Sequence, residues 1–413
     1  MRQNSMKKVL ITLFSIFFIS MIACNQGEKT PEYSDILHQR ILTIDTHCDT
    51  PLRMADTTWD VGARHEPGLR GSGKVDLPRM KEGGLDVEFF AAFVAQRERT
   101  PENNQEALEK ADKLIRSIKD MCIKYSEKIQ LGLSPDDAYE HEKQGLLTAF
   151  IGIENGFAIG QDISNIHRYY DMGARYITLC HTKNNDICDS SNDSTEHGGL
   201  SDFGAEVVQE MNRIGMIVDV SHISDEAFFD VLETTTAPVI ASHSSVRAIC
   251  DNVRNLSDDM LKALAENGGV IQICIYTEYV KKPKPNPERE QALAALREKY
   301  GPWEDVKDPE IKKQYRNEYY DIREKYPVEK ATVADVVDHI DHVVELIGID
   351  HVGIGTDFDG GGGVIGCDDV SEMSNITREL VRRGYSDKDI EKIWGGNFMR
   401  VFREVRGHKA ANL

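Results

Sequence analysis

The 413-residue sequence has no CxxC pair, no GxSxG elbow, no glycine run followed by Lys-Ser or Lys-Thr, and no GxGxxG opening a helix after its first strand. Each absence removes a class of function. Lacking paired cysteines it is no zinc ribbon, and lacking the elbow or a matching triad it carries no serine nucleophile of that type. The other two absences remove the P-loop and the dinucleotide fold. The four glycines 360–363 therefore read as a flexible loop rather than a phosphate cradle.

Positive charge is also short, with 49 Lys+Arg against 69 Asp+Glu and a net charge of −20. Arg2, Lys7 and Lys8 are the only charges among the first 24 residues, so the remainder carries −23. Such a chain gains nothing from polyanions, which excludes nucleic acid and anionic lipid surfaces as partners and leaves a small substrate.

Only one long apolar run exists, "VLITLFSIFFISMIAC", behind those three cations. It is short for a spanning helix and reads as an export signal over residues 1–24. Its end, "MIAC", resembles a bacterial lipobox and marks Cys24 for lipidation. Met21 stands where that motif usually has Leu, so a plain signal and an uncleaved anchor are the alternatives. Residues 25–34 then form a polar tether, and 35–408 a single domain. The protein is expected in the bacterial cell envelope, on the periplasmic or surface side, touching membrane only through its lipid anchor. With Cys24 lipidated, seven cysteines remain, and buried thiols are expected rather than a disulfide framework.

Apolar, β-branched runs recur at 41–49, 85–95, 146–154, 174–182, 216–222, 238–245, 270–279 and 351–359. Amphipathic stretches with N-cap signals separate most of them: Ser134 with Asp137, Ser201, Ser224, Ser257, and Thr332 with Asp335. Near-continuous apolar strands alternating with helices imply a parallel sheet covered on both faces. Eight units at this length predict an α/β fold of the closed (β/α)8 TIM-barrel type. Residues 50–84 form a long loop after the first strand. Residues 281–330, with 24 charged residues and six prolines, form a charged helical insertion after the seventh. That segment is either a solvated excursion or a lid over the barrel mouth.

Barrel chemistry sits at the C-terminal strand ends. The first strand ends in His47 and Asp49, the third in Glu154, the fourth in His181, the fifth in His222, the sixth in His243 and the eighth in Asp357. Six of eight strands thus deliver a metal ligand or proton carrier to one rim. Residues two apart on a strand share a face, so His47 and Asp49 converge while Cys48 turns away. Imidazoles with carboxylates suit zinc, and five ligands are too many for one catalytic ion. They suit two ions sharing a carboxylate, for which Glu154 is placed.

"IDTHCD", "GIENG", "LCHTKNN", "DVSH" followed 21 residues later by "SHSSVR", then "DNVRN" and "HVGIGTDFDG", together resemble the membrane (renal) dipeptidase family of binuclear zinc peptidases in the amidohydrolase superfamily. The resemblance runs from about residue 35 to 405. It implies two Zn2+ per chain, one on His47, Asp49 and Glu154, the other on Glu154, His222 and His243. It also implies hydrolysis of dipeptides, including those with a C-terminal D-residue in some members, by water activated between the metals.

By the same resemblance Asp357 carries the proton from water to the leaving amine, with Asp359 its local competitor. His181 contacts substrate and stabilises the oxyanion, against readings as a sixth ligand or a core histidine. Arg254 grips the substrate carboxylate, with Arg247 its competitor, and Tyr279 is a further substrate contact. Asp45 is either an outer partner of the site or an ordinary strand-end hydrogen bond. A homodimer is compatible with this family. The rivals are another binuclear amidohydrolase acting on lactones, N-acyl amino acids or cyclic amides, and a non-catalytic surface binding lipoprotein.

Overall fold

The computed structural model describes residues 31–56 and 58–411; the signal segment, Cys24 and most of the tether lie outside them. Among the described residues nine strands form: β1 (Ile44–Cys48), β2 (Val87–Phe93), β3 (Ile129–Leu131), β4 (Leu147–Glu154), β5 (Ala174–Thr178), β6 (Ile217–Asp219), β7 (Ile240–Ser244), β8 (Val270–Ile273) and β9 (Val352–Ile354). Eight pair in parallel in the order β1-β2-β4-β5-β6-β7-β8-β9, and β3 pairs β4 off this path. The Asp49 amide donates to the Phe358 carbonyl at 2.8 Å and the Asp357 amide to the His47 carbonyl at 3.0 Å. These bonds join the first strand to the last, so the fold is the expected (β/α)8 barrel.

The sequence pattern runs past the ends of several strands, furthest at β8 and β9, and misses β3. Expected at 270–279, β8 stops at Ile273, and Thr277–Val280 turns into a short helix. Expected at 351–359, β9 stops at Ile354 because Asp357 and Asp359 adopt left-handed φ of 59° and 67°. Residues 31–34, placed in the tether by the sequence, instead belong to helix Pro31–Arg40.

Helix starts fall where the caps lie. Ser134 with Asp137 and Thr332 with Asp335 make reciprocal capping boxes, and Ser201, Ser224 and Ser257 each accept an amide from the first turn. A cap of this kind contributes about 1 kcal/mol. The barrel floor is aromatic: Phe89 and Phe150 stack at 4.8 Å, and Phe398 and Phe402 of the last helix, Asn397–Ala411, pack edge-on against them. This plug leaves the C-terminal rim as the way in.

The insertion folds as helices Pro287–Tyr300 and Pro309–Lys325 around a small core of Leu296, Val306 and Tyr315. Arg70, in the loop after β1, pairs with Asp321 and Glu324 at 2.8 Å each. The insertion is thereby tied across the barrel mouth.

Candidate active site

The strand ends bring the seven expected side chains together at one rim. His47 lies within β1, Glu154 ends β4 and His243 lies within β7, while Asp49, His222 and Asp357 follow β1, β6 and β9. His222 has φ 74°, Asp357 φ 59° and Asn155, next to Glu154, φ 80°. Left-handed backbone at such residues costs about 1–2 kcal/mol each, and here it aims side chains inward just as the strands run out. Asn155 is held in place by its amide donating to the Val94 carbonyl at 2.9 Å and its oxygen accepting from Phe157 and Asn185.

Glu154 is the centre of the cluster. Its Oε2 lies 3.5 Å from His47 Nε2, and its Oε1 lies 3.2, 3.5 and 3.6 Å from Nε2 of His222, His243 and His181. The Nε2 atoms of His222 and His243 are 2.9 Å apart. Three sets have ligand atoms within 4.8 Å of one another: His47, Glu154 and His243; Glu154, His181 and His222; His47, Asp49 and Asp357. All are buried except His181, which stands at the rim.

The buried charges perturb one another. Burial disfavours ionised Glu154, but His47 and His181 and the hydrogen bonds of His222 and His243 hold it well below the carboxylate range. Burial also opposes a charged His47, yet Glu154, Asp49 and Asp357 outweigh it and push it up to about 10. Asp49 is raised well above its usual value by burial and by Glu154. Burial raises Asp357 to about 7, with His47 opposing and Glu154 assisting. His222 and His243 are pushed far down, first by burial, then by Arg254 and His47 respectively. His222 and His243, held neutral beside ionised Glu154, are in the protonation state a cation requires, whereas His47 gives up a proton when one binds.

Three atoms aimed into this cluster, His47 Nε2, Asp49 Oδ1 and Glu154 Oε2, are buried with no hydrogen-bond partner. Buried polar atoms are rarely left so, and a divalent cation satisfies all three. The donor set fits the expected metal.

Outer contacts fix the ligands. His47 Nδ1 lies 2.9 Å from the Tyr176 hydroxyl, and Tyr176 has room only because residue 152 is glycine, where a Cβ would come within 2.0 Å of its ring. His243 Nδ1 lies 2.8 Å from Ser242 Oγ, which donates to Asp219 at 2.6 Å. Asp45 accepts from the amides of Thr356 and His47 at 2.7 and 3.2 Å, joining the two strand ends that carry Asp357 and His47. Tyr176, Asp219 and Ser242 escaped the sequence reading. The signal was period two: Tyr176 faces inward on β5, and Asp219 precedes "VSH".

Asp359 is engaged elsewhere, accepting from Thr50, Arg53 and the Lys74 amide at 2.8, 2.6 and 3.1 Å. Arg247 is similarly committed, gripping both oxygens of Asp225 at 2.5 and 2.7 Å. Arg254 differs: it is buried, donates to the His243 carbonyl at 3.0 Å, and keeps Nε without a partner. It makes no ion pair among the described residues, and its guanidinium lies 5.2 Å from the Tyr279 ring. His339 lies outside the site, bridging the Val246 amide and Val280 carbonyl. The seven described cysteines, Cys48 among them, are buried free thiols.

A model of the membrane dipeptidase family, peptidase family M19, matches residues 32–412. The chain belongs to that family. This dipeptidase is 33% identical over 353 residues to Dipeptidase tcpJ of Claviceps purpurea (strain 20.1), covering 84% of this chain and 73% of that one. Against Dipeptidase 3 of Homo sapiens it is 30% identical over 372 residues, covering 88% and 64%. The probable dipeptidase PvdM from Pseudomonas aeruginosa superposes with a TM-score of 0.78 at 33% identity, covering 92% of this chain and 100% of that one. A metallo peptidase from Rhodobacter sphaeroides, liganded with a phosphinate mimic of the dipeptide L-Ala-D-Ala, shares the fold with a TM-score of 0.71 at 22% identity, covering 88% and 99%. The dipeptidase is a metal-dependent hydrolase acting on the peptide bond of dipeptides.

Proposed function

We propose that the dipeptidase uses two zinc ions, one on His47, Asp49 and Glu154 and the second on Glu154, His222 and His243. The observation that carries this assignment is the split of one carboxylate: Glu154 Oε2 faces His47, and Oε1 faces His222 and His243. A bridging ligand needs that division of its two oxygens. Zinc bound there would supply the activation of water and the polarisation of the scissile carbonyl.

The chain's own residues do the rest. Arg254, buried without a carboxylate partner, receives the substrate's free carboxylate through its two-pronged guanidinium, and Tyr279 flanks it. That contact sets the length of substrate and aims the peptide bond at Glu154. Asp357, held near neutrality's edge beside His47, takes the proton from water and passes it to the leaving amine. His181, at the rim 4.2 Å from the His222 ring, donates to the carbonyl oxygen as it gains charge.

The enzyme is exported to the bacterial cell envelope and held there by lipid on Cys24. Among the described residues no helix is long and apolar enough to cross a membrane.

Zinc analysis coupled to a panel of L,L- and L,D-dipeptides tests the proposal. Two zinc ions per chain, dipeptide turnover, and a large rise in KM for dipeptides in Arg254→Gln are expected. Equal damage to a substrate lacking a carboxylate would instead favour another amidohydrolase activity, and a stoichiometry of one would remove the bridge.

A further inference from the structure

The insertion carries a pattern that the proposed catalytic roles leave unused. On helix Pro287–Tyr300, Arg289, Leu293 and Arg297 are spaced four apart, and on helix Pro309–Lys325 so are Tyr315, Tyr319 and Arg323. Side chains four apart lie on one helix face, and both stripes line the same cavity of about 420 Å3. Its opposite wall is Tyr276, Thr277 and the glycines 360, 361 and 363.

Three guanidiniums share this cavity without a carboxylate to neutralise them. Arg297 and Arg323 form no ion pair with a described residue. The Arg289 guanidinium donates to the Tyr326 carbonyl at 3.0 Å and forms no ion pair with a described residue. Lys74 and Lys330, also on the wall, are already paired with Asp368 at 2.9 and 2.6 Å. The one acid lining it, Glu278, is solvent-exposed. In a chain of net charge −20, such a concentration of unpaired cations makes an anion site.

Its position names the anion. A Cβ on Gly361 would lie 3.1 Å from the Tyr276 ring and 3.4 Å from Asp357 Oδ2, and one on Gly360 2.2 Å from Asp357 Oδ1. Only the backbone of two glycines therefore separates the cavity from Asp357. From the other side, Tyr276 meets Tyr279 at 4.8 Å, and Tyr279 meets Arg254 at 5.2 Å. The cavity thus adjoins the end of the site where Arg254 takes the C-terminal carboxylate.

We infer that this cavity is a subsite for an acidic side chain on the C-terminal residue of the dipeptide, with Arg289, Arg297 and Arg323 as its cations. The inference rests on the dipeptidase assignment and on Arg254 as the carboxylate clamp.

The test compares kcat/KM of the zinc-loaded, full-length enzyme for Ala-Glu, its neutral counterpart Ala-Gln, and Ala-Ala. Ala-Glu should exceed Ala-Gln by roughly tenfold, the scale of one hydrogen bond to a charged group. Arg297→Gln/Arg323→Gln, changed at two exposed positions, should erase that ratio and leave Ala-Ala turnover within twofold. Rising salt should lower the ratio in the wild type alone. A wild-type ratio near one with good Ala-Ala turnover overturns the subsite and spares the dipeptidase assignment; no turnover of any of the three overturns both. Preference for Glu-Ala over Gln-Ala would overturn the placement at the C-terminal residue. A response of Ala-Ala turnover to free glutarate, with the ratio at one, would assign the cavity to a free anion and overturn it too.

Discussion

Tyr176→Phe should loosen zinc without disturbing the barrel. With zinc on His47 Nε2, as proposed, Nδ1 is the nitrogen that bears the proton, and the Tyr176 hydroxyl at 2.9 Å is what receives it. The substitution deletes that oxygen and nothing else, because the ring still stacks on Phe89 at 5.5 Å and still passes over Gly152. A buried N–H left unpaired costs about 1–3 kcal/mol. Loss of an outer hydrogen-bond partner of a metal-binding histidine lowers affinity about 10–100-fold. The two estimates agree, since tenfold is about 1.4 kcal/mol. Chelator competition measures the zinc affinity directly, and thermal unfolding of the metal-free protein reports on the fold. Affinity within twofold of wild type would refute the claim that Tyr176 orients His47. Collapse of cooperative unfolding would show instead that the hydroxyl serves the core. Ser242→Ala is the companion measurement, acting on His243 through the Asp219 chain.

Asp357→Asn should keep both metals and lower kcat about 10²–10⁴-fold; zinc content by elemental analysis with near-normal kcat would remove its proton-carrying role. Cys24→Ser should move the protein from the membrane to the soluble fraction on fractionation, and unchanged partitioning would remove the lipid anchor. His38, bonded to Thr377 and the Gly83 carbonyl at 2.7 and 2.9 Å, is lowered by burial from 6.5 to about 4. Between those values the unfolded chain binds a proton that the folded chain does not, so this contribution is complete above 6.5 and is lost as pH falls. The full gap is worth about 3 kcal/mol, of which about 2 is gone near pH 5. Urea midpoints of wild type and His38→Gln across that range check it: the variant should be less pH-sensitive, and equal slopes would refute the linkage.

Reading strand ends found the rim because two regularities coincide there. Alternation sends His47 and Asp49 one way and Cys48 the other, and barrel topology places every strand end on one face. Neither regularity reports φ. Asp357 and Asp359 looked like one strand face two residues apart, yet both have left-handed backbone, which turns Asp359 toward Arg53 and leaves Asp357 beside His47. Nor does alternation name partners across strands, so the hydroxyls of Tyr176 and Ser242 went unread. Three-residue β3 carries too little pattern to detect, and its pairing with β4 supplies what its own sequence lacks. What favours Arg254 over Arg247 as the proposed carboxylate clamp is a carboxylate 22 positions from Arg247, Asp225, that occupies it.

The aromatic plug at the barrel floor has a consequence for biogenesis. Phe398 and Phe402 belong to a helix that follows all nine strands in the chain, so Phe89 and Phe150 remain without their cover until every strand of the barrel has been made. Domains whose core closes only at the C-terminus do not finish folding during elongation. The barrel stays open at its floor, and unfinished, until that helix has been added to the chain.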